Sequence, residues 1–590
     1  MREDDDARTP ANLQLWLRMA KDFPSEALIT IVAMIAAWIS VELVVYLPRF
    51  LQQAIDDHLV PHRLEGLEAI AFAYLGVTLA GFVFEFAYTY AIGFAATRAI
   101  TKLRRKVYSH TLSMAQAFFD QRPTGRLLTR ATSDVEALGE TLTAGAFTIV
   151  LDAILVFRTI FAMFLLHHRM TVVVLLVAPP IAIFVNVIRK KLRDLFGEVR
   201  DAISVLNAYT AERLGGMDVV QLYSEETRTL AEHNRMLARY RIGNVRSNIW
   251  DALLYAGIDG IATITVALLL WYGSGGWNDD IVTAGLLAMF IQYTGQLFRP
   301  IQEFSQKIAV LQRAAASLEK IYGLLDYQQA ITPGSQRLPQ AKGQIHLSNL
   351  KFAYQNGVPI LNGVEFHVQP GEVVALVGRT GSGKSSIARL LTRTYDGYEG
   401  SITLDGLELR EVHPDDVRNA IGMVRQDVQL FPGDVRFNLT LGKKISDERL
   451  REVIHLAQAD EAVEKLGGLD GKIQHQGANL SVGEAQLLSF ARVMAHDPPV
   501  VLLDEATASV DTLTETRIQA ATKVLFERKT VLVIAHRLST VVDADRIVVL
   551  DQGKVLETGS HHELMARDGA WAALFRQQFT EAHEAGSPNS

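Results

Sequence analysis

Residues 378–385 read Gly-Arg-Thr-Gly-Ser-Gly-Lys-Ser, a run of small residues that ends on a lysine and a hydroxyl. They follow the apolar stretch 373–377 and lead into helical character from Lys384. This is the strand, turn and helix context in which G-x-x-x-x-G-K-[ST] cradles phosphate. Glycines let successive backbone N–H groups converge on an anion, and the helix N-terminus adds positive potential. In that arrangement Gly378, Arg379, Thr380, Gly381, Ser382 and Gly383 form the cradle, and Lys384 reaches the β- and γ-phosphates. Ser385 ligates Mg²⁺, with Ser386 beside it in the first helical turn. The ligand this chemistry calls for is a nucleoside triphosphate such as ATP with Mg²⁺.

A second set of residues completes the chemistry. The apolar run 500–503 ends on two adjacent carboxylates, Asp504 and Glu505. A hydrophobic strand that delivers acids to its carboxyl end suits an open α/β sheet, whose ligands bind just beyond the strand ends. Asp504 is then placed to hold Mg²⁺, and Glu505 to polarise an attacking water as general base. Glu505 also reads as a solvated strand-end carboxylate. His536 follows the apolar run 530–534 and sits at another strand end, within reach of a γ-phosphate. A lone histidine there also reads as structural.

The elements that must position these residues divide the chain in two. At 590 residues it exceeds one ordinary core. Its 58 Lys+Arg against 65 Asp+Glu, a net charge of −7, offer no footprint for nucleic acid. The absence of cysteine excludes disulfides and thiolate metal sites. Hydrophobic residues make up 49% of the chain, and the excess lies in the first half. The acidic segment 1–8 carries no apolar run behind a basic start, so it does not read as a cleaved signal peptide. Residues 13–20 suit an interfacial helix lying on a membrane, or an ordinary surface helix.

Six apolar runs follow at 27–47, 67–97, 142–166, 170–188, 250–271 and 282–304, each long enough for a spanning helix. Short connections at 49–66, 167–169 and 273–280 alternate with long ones at 98–139 and 189–249. The long ones carry the basic clusters, Arg98, Lys102, Arg104, Arg105 and Lys106, then Arg189, Lys190, Lys191 and Arg193. The positive-inside rule puts these connections and both termini in the cytoplasm. Two turn-forming patches within them, 118–126 and 212–223, suit contact with a partner, and Gly215 and Gly216 interrupt the second helix. Glu42, Glu85, Asp152, Arg158, Asp251 and Asp259 fall inside the spans, where charge is costly. Structural pairing, a polar substrate cavity and proton coupling are the readings open for them.

A Pro/Gly/Gln-rich linker occupies 326–342, after which short strands alternate with helices. The expected division is an N-terminal segment 1–26, a six-helix membrane domain 27–325, the linker, an α/β P-loop domain 343–578 and a small polar, disordered tail 579–590.

Ser481-Val-Gly-Glu484, followed by Leu502-Leu-Asp-Glu-Ala-Thr-Ala-Ser-Val-Asp511 and Ala535-His-Arg-Leu-Ser-Thr540, resembles the ATP-binding domain of ABC transporters. With six spans ahead of it, essentially the whole chain is similar to a half-transporter of the type IV exporter group, notably the MdlB-like multidrug exporters. The resemblance assigns Tyr354 to stacking on adenine, and Gln426 to sensing Mg²⁺ and water beside the coupling helices. It assigns Ser481 and Gly483 to closing over the γ-phosphate held by the opposite chain, and Asp511 to the dimer seam. It makes the patches 118–126 and 212–223 the coupling helices.

The implied function is ATP-driven export of a hydrophobic or amphipathic compound across the cytoplasmic membrane. Lipid flipping and peptide export are variants, and an ATP-gated channel, a regulatory membrane ATPase or a soluble P-loop enzyme are rivals from other classes. The chain departs from the family at Val482 and Glu484, where the usual signature is Leu-Ser-Gly-Gly-Gln. It departs again at 473–479, which lacks the usual Gly-Glu-Arg-Gly. Val482 adds a branched side chain where backbone would approach phosphate, and Glu484 puts an anion near an anionic ligand. An intact Glu505 beside an altered signature resembles one subunit of an asymmetric heterodimer.

Overall fold

The computed structural model describes residues 13–144, 146–274, 282–328, 331–338, 340–354, 357–504, 511–535 and 541–585. These fall into two compact units, one of residues 1–112 and 124–327, the other of residues 113–123 and 328–590.

The first unit is helical. In lipid every backbone N–H and C=O must be satisfied within the chain, and a helix does this segment by segment. Five helical stretches among the described residues are long and apolar enough to cross a membrane: Pro24–Leu59, Leu67–Leu112, Thr124–Leu166, His168–Gly215 and Glu226–Ser274. The sixth expected span lies in the helix Ala284–Leu325. It is not among the five because Gln292, Thr294, Gln296 and Arg299 dilute its apolar run. This helix packs against Pro24–Gln53, Ala146–Leu166 and Glu226–Ser274. Its Met289, Phe290 and Tyr293 are fully buried beside Met163, Met170 and Ile258.

Several helices far exceed a bilayer. The 46 residues of Leu67–Leu112 span about 69 Å at 1.5 Å per residue, against a hydrocarbon thickness of about 30 Å. The expected connection 49–66 is helical as far as Leu59, and its last turn, Ala54–Leu59, is a π-helix. Asp56 in that turn accepts from Thr283 Oγ1 at 2.5 Å and from Gly285 N at 2.8 Å, capping the start of Ala284–Leu325. Of the ionisable residues in the spans, Glu42 pairs with Arg158, and Asp152 accepts from Lys307 at 2.5 Å. Pairing of this kind removes the cost of an isolated charge.

The second unit is an α/β fold with twelve strands among the described residues. They are β1 Ile345–Ala353, β2 Pro359–Val368, β3 Val373–Val377, β4 Glu399–Leu404, β5 Leu407–Glu408, β6 Ile421–Val424, β7 Gly433–Asp434, β8 Lys472–Ile473, β9 Val500–Asp504, β10 Thr530–Ile534, β11 Arg546–Asp551 and β12 Lys554–Gly559. The main sheet has the order β12-β11-β3-β10-β9-β6 and is parallel from β11 to β6, with β12 antiparallel at the edge. A separate sheet, β2-β1-β4-β5, is antiparallel. The strand–helix alternation predicts only the parallel one. β1 alternates buried and exposed residues, as a strand with one covered face does.

The central strands of the main sheet are buried on both faces, and successive side chains enter different cores. Val373, Ala375 and Val377 of β3 join one cluster with Val501 and Leu503 of β9 and the helix Val482–His496. Val374 and Leu376 join another with Val500 and Leu502, the helix Lys384–Leu391 and the antiparallel sheet. The helix after the glycine-rich loop and the helix after Ser481 therefore lie on opposite faces of one sheet. The last helix, Ala570–Ala585, continues past residue 579.

Candidate functional site

Register places the candidate residues at the carboxyl ends of the main sheet's parallel strands. Ile534 of β10 pairs with Leu376 on one side and Asp504 on the other, so the end of β9 is level with the strand that leads into Gly378. Val424 of β6 pairs with Leu503, which brings Gln426, two residues further on and exposed, to the same end of the strands. Glycine is required at two loop positions. Gly378 has φ +152°, and a Cβ there would collide with the Leu550 carbonyl and crowd Ser382 Oγ. Gly383 has φ +107°, and a Cβ would press on Leu361.

Lys384 is 5% exposed, and its Nζ donates to the carbonyls of Gly378 at 2.6 Å and Arg379 at 3.1 Å. Burial pushes its ammonium below the usual lysine range, and the Asp504 carboxylate opposes that shift, which places the two charges in each other's field. Ser382 Oγ is buried without a hydrogen-bond partner among the described residues. A buried hydroxyl that lacks a partner inside a loop whose glycines exclude side chains fits an oxyanion ligand. Ser385 follows Lys384 in the helix Lys384–Leu391.

Tyr354 lies just past β1, and its hydroxyl is 3.0 Å from Ser386 Oγ, which ties the aromatic to the first turn after the loop. Its ring meets Phe352 and Tyr395 edge-on, with centroids 4.9 and 5.2 Å away. Asp511 caps the helix Thr512–Arg528, its carboxylate accepting from Thr514 N at 2.9 Å. Glu505 and His536 lie outside the described residues.

Ser481 caps the helix Val482–His496 in a reciprocal box: its Oγ accepts from Glu484 N at 3.1 Å, and Glu484 Oε2 accepts from Ser481 N at 2.7 Å. Gly483 is buried, whereas Val482 is 65% exposed. Glu484 does not stand as a bare anion, as its sequence position suggests, because Lys465 Nζ donates to it at 3.0 Å. In the altered stretch 473–479, Asn479 ties the loop together, accepting from Gln474 N at 3.0 Å and donating to Lys472 O at 2.9 Å.

Sequence reasoning misses one cluster. Residues 113–123 belong to the second unit, where Ala117 packs against the core beneath the antiparallel sheet. Asp120 Oδ2 accepts from Tyr395 OH at 2.5 Å and from Arg389 Nη1 at 3.4 Å, and the same Arg389 nitrogen lies 3.4 Å from Tyr354 OH. Burial and the Asp120 carboxylate push the Tyr395 hydroxyl above the usual tyrosine range. The patch 118–126 stands out in the sequence, but nothing local marks Tyr395 or Arg389 as its partners.

Two family descriptions match the chain: residues 27–301 match the ABC transporter transmembrane region and residues 361–508 match ABC transporter. The chain is 33% identical over 526 residues to the probable multidrug resistance ABC transporter ATP-binding/permease protein YheH of Bacillus subtilis, covering 88% of this chain and 78% of that one. It is 31% identical over 554 residues to an ATP-dependent lipid A-core flippase of Vibrio vulnificus, covering 93% of this chain and 95% of the other. Among solved structures, a bacterial Atm1-family ABC exporter with ATP bound superposes with a TM-score of 0.75 at 25% identity, over 96% of this chain and 99% of that one.

Proposed function

The chain belongs to the ABC transporter family, with the transmembrane and ATPase regions fused in one polypeptide, and on that premise we propose that it is one half of a dimeric ATP-driven exporter of a hydrophobic or amphipathic compound. The observation that carries this reading is the burial of the phosphate loop's helix and the Ser481 helix in separate cores on opposite faces of one sheet. In this reading the chain holds ATP in its own loop, and the turn at Ser481 and Gly483 closes over ATP held by another chain. Two chains then close around two nucleotides. Contacts that exist only in the closed state are what let ATP shift the population toward it.

In this reading Gly378 to Gly383 surround the phosphates, Lys384 offsets the charge on the β- and γ-phosphates, and Tyr354 stacks on adenine. Mg²⁺ would be held by Ser385, Asp504 and Gln426 and would neutralise charge on the transferred phosphoryl group. Glu505 takes a proton from the attacking water, His536 contacts the γ-phosphate, and Asp511 stands at the seam. The positive-inside bias supports a multi-pass protein of the cytoplasmic membrane with its ATPase region and both termini cytoplasmic.

Residues 113–123 join the membrane unit covalently at both ends while packing within the ATPase unit. Asp120, through Arg389 and Tyr395, connects that segment to Tyr354. Replacing Asp120 with alanine is expected to leave ATP hydrolysis within about threefold of the parent and to lower transport per ATP by about tenfold, since it removes charge-assisted hydrogen bonds from the link. Parallel ATPase and transport assays in vesicles check this, and equal losses in both would refute it.

Reconstitution tests the function itself. The expected result is uphill, ATP-dependent movement of amphipathic dyes in proteoliposomes, with ATPase activity stimulated by the transported compound. Solute flow down its gradient without turnover would mean a channel. A lipid-flipping variant is favoured by the likeness to the lipid A-core flippase, which spans nearly both full chains. It predicts translocation of labelled lipid in the same vesicles. The altered signature, Leu480-Ser-Val-Gly-Glu484, supports an asymmetric heterodimer. If the purified chain alone forms a fully transporting dimer, the partner is a second copy.

A further inference from the structure

We propose that Lys465 is a positioning residue of the signature turn: it neutralises Glu484 so that the turn can receive the partner's ATP. This inference rests on the reading of Ser481 and Gly483 as the residues that close over that nucleotide.

The difficulty it resolves is electrostatic. The N-terminus of a helix attracts phosphate through its free N–H groups and its dipole. A carboxylate in the first turn opposes an incoming phosphate, and Val482–His496 carries one, Glu484, in its first turn. Glu484 is also useful, because the bond from Ser481 N at 2.7 Å sets the conformation of the turn and orients the Ser481 hydroxyl. The residue therefore combines a favourable shape with an unfavourable charge.

Lys465 removes the charge problem and leaves the shape intact. It lies near the end of a separate helix, Asp460–Leu466, and its ammonium reaches both carboxylate oxygens, at 3.0 and 3.3 Å. Glu484 is only 20% exposed, so its carboxylate faces Lys465 and the Ser481 amide. Burial by itself would raise the Glu484 carboxyl, but the Ser481 amide and the Lys465 ammonium outweigh it and hold it below the usual carboxylate range. The carboxylate therefore stays ionised and paired, and the turn as a whole adds no net charge. Val482, beside it, is left as the exposed departure from the usual signature.

The test uses the purified full-length transporter, with its partner if it has one, and reads ATPase kcat and KM against MgATP. Lys465→Met uncovers the Glu484 charge toward the nucleotide. It is expected to raise the KM for ATP about tenfold, with a smaller change in kcat, from one uncompensated charge several ångströms from a phosphate. Adding Glu484→Gln to Lys465→Met is expected to bring KM back to within about twofold of the parent, because glutamine still accepts from Ser481 N and needs no counter-charge. Lys465→Arg, which keeps the charge, should stay near the parent. Lys465 is itself more than half exposed, so its truncation disturbs no core. An unchanged KM in Lys465→Met, or a raised KM that Glu484→Gln does not relieve, overturns the proposal. Lys384→Ala in the same preparation separates the two levels. If it abolishes turnover while the Lys465 series is flat, only the Lys465 inference fails. If it leaves turnover intact, the reading of the nucleotide site fails and takes the inference with it.

Discussion

Lys384→Ala is expected to reduce ATP hydrolysis by a factor of about 10² to 10³, the usual loss when a preorganised donor to developing charge is removed, and to abolish transport with it. Two consequences of the substitution add. The β- and γ-phosphates lose their cationic partner. The carbonyls of Gly378 and Arg379, which Lys384 bonds at 2.6 and 3.1 Å, also lose the donor that helps fold the loop around the ligand. ATP binding should weaken as well, so the effect divides between KM and kcat. Lys384→Arg keeps the charge, but the ammonium site is buried and shaped for a point charge, so it should recover only part of the activity. Steady-state phosphate release and binding of a fluorescent ATP analogue check both parts. Retention of more than a tenth of the parental rate in Lys384→Ala would show that phosphate is held elsewhere.

Glu505→Gln is expected to give a comparable loss of turnover with the opposite effect on binding. General-base catalysis contributes about 10² to 10⁴ in rate, and glutamine cannot take the proton, so hydrolysis should fall at least 100-fold. The amide occupies nearly the same volume and carries no repelling charge, so ATP should bind at least as tightly and the closed dimer should accumulate. Nucleotide retained through gel filtration, together with the loss of phosphate release, identifies this state. In an asymmetric assembly in which this chain's loop serves the stronger site, the single substitution removes most of the activity of the whole complex. If the variant turns over at more than a tenth of the parental rate, another group activates the water.

Lys384 differs from Asp120 and Lys465 in how far along the chain its partners lie. Lys384 and Asp504 were legible in the chain because their geometry is local. An apolar strand, a turn that demands glycine and a helix start occur within a dozen residues, and a second apolar strand ends on its acid. The departures at Val482 and Glu484 were equally visible, but their physical meaning was not. Glu484 read as an anion facing an anion until Lys465, 19 residues away in the chain, proved to be its partner. Asp120 and Tyr395 are 275 residues apart, and nothing in either neighbourhood predicts the other. The antiparallel sheet β2-β1-β4-β5 was missed for a similar reason, since strand pairing depends on partners and the chain displays only propensity.

The helical membrane region, the glycine-rich loop after β3, the acid at the end of β9 and the family are therefore legible in the chain alone. All of these are written in contiguous periodicities and short motifs, where each residue's neighbours in the chain are also its neighbours in space. Which core each helix enters emerges only from the folded chain. The alternation of β3 and β9 side chains between two faces sends the Lys384 helix to one and the Ser481 helix to the other. That choice depends on crossovers between distant segments, which no local pattern encodes. It is also what separates the helix after Ser481 from the helix after the glycine-rich loop.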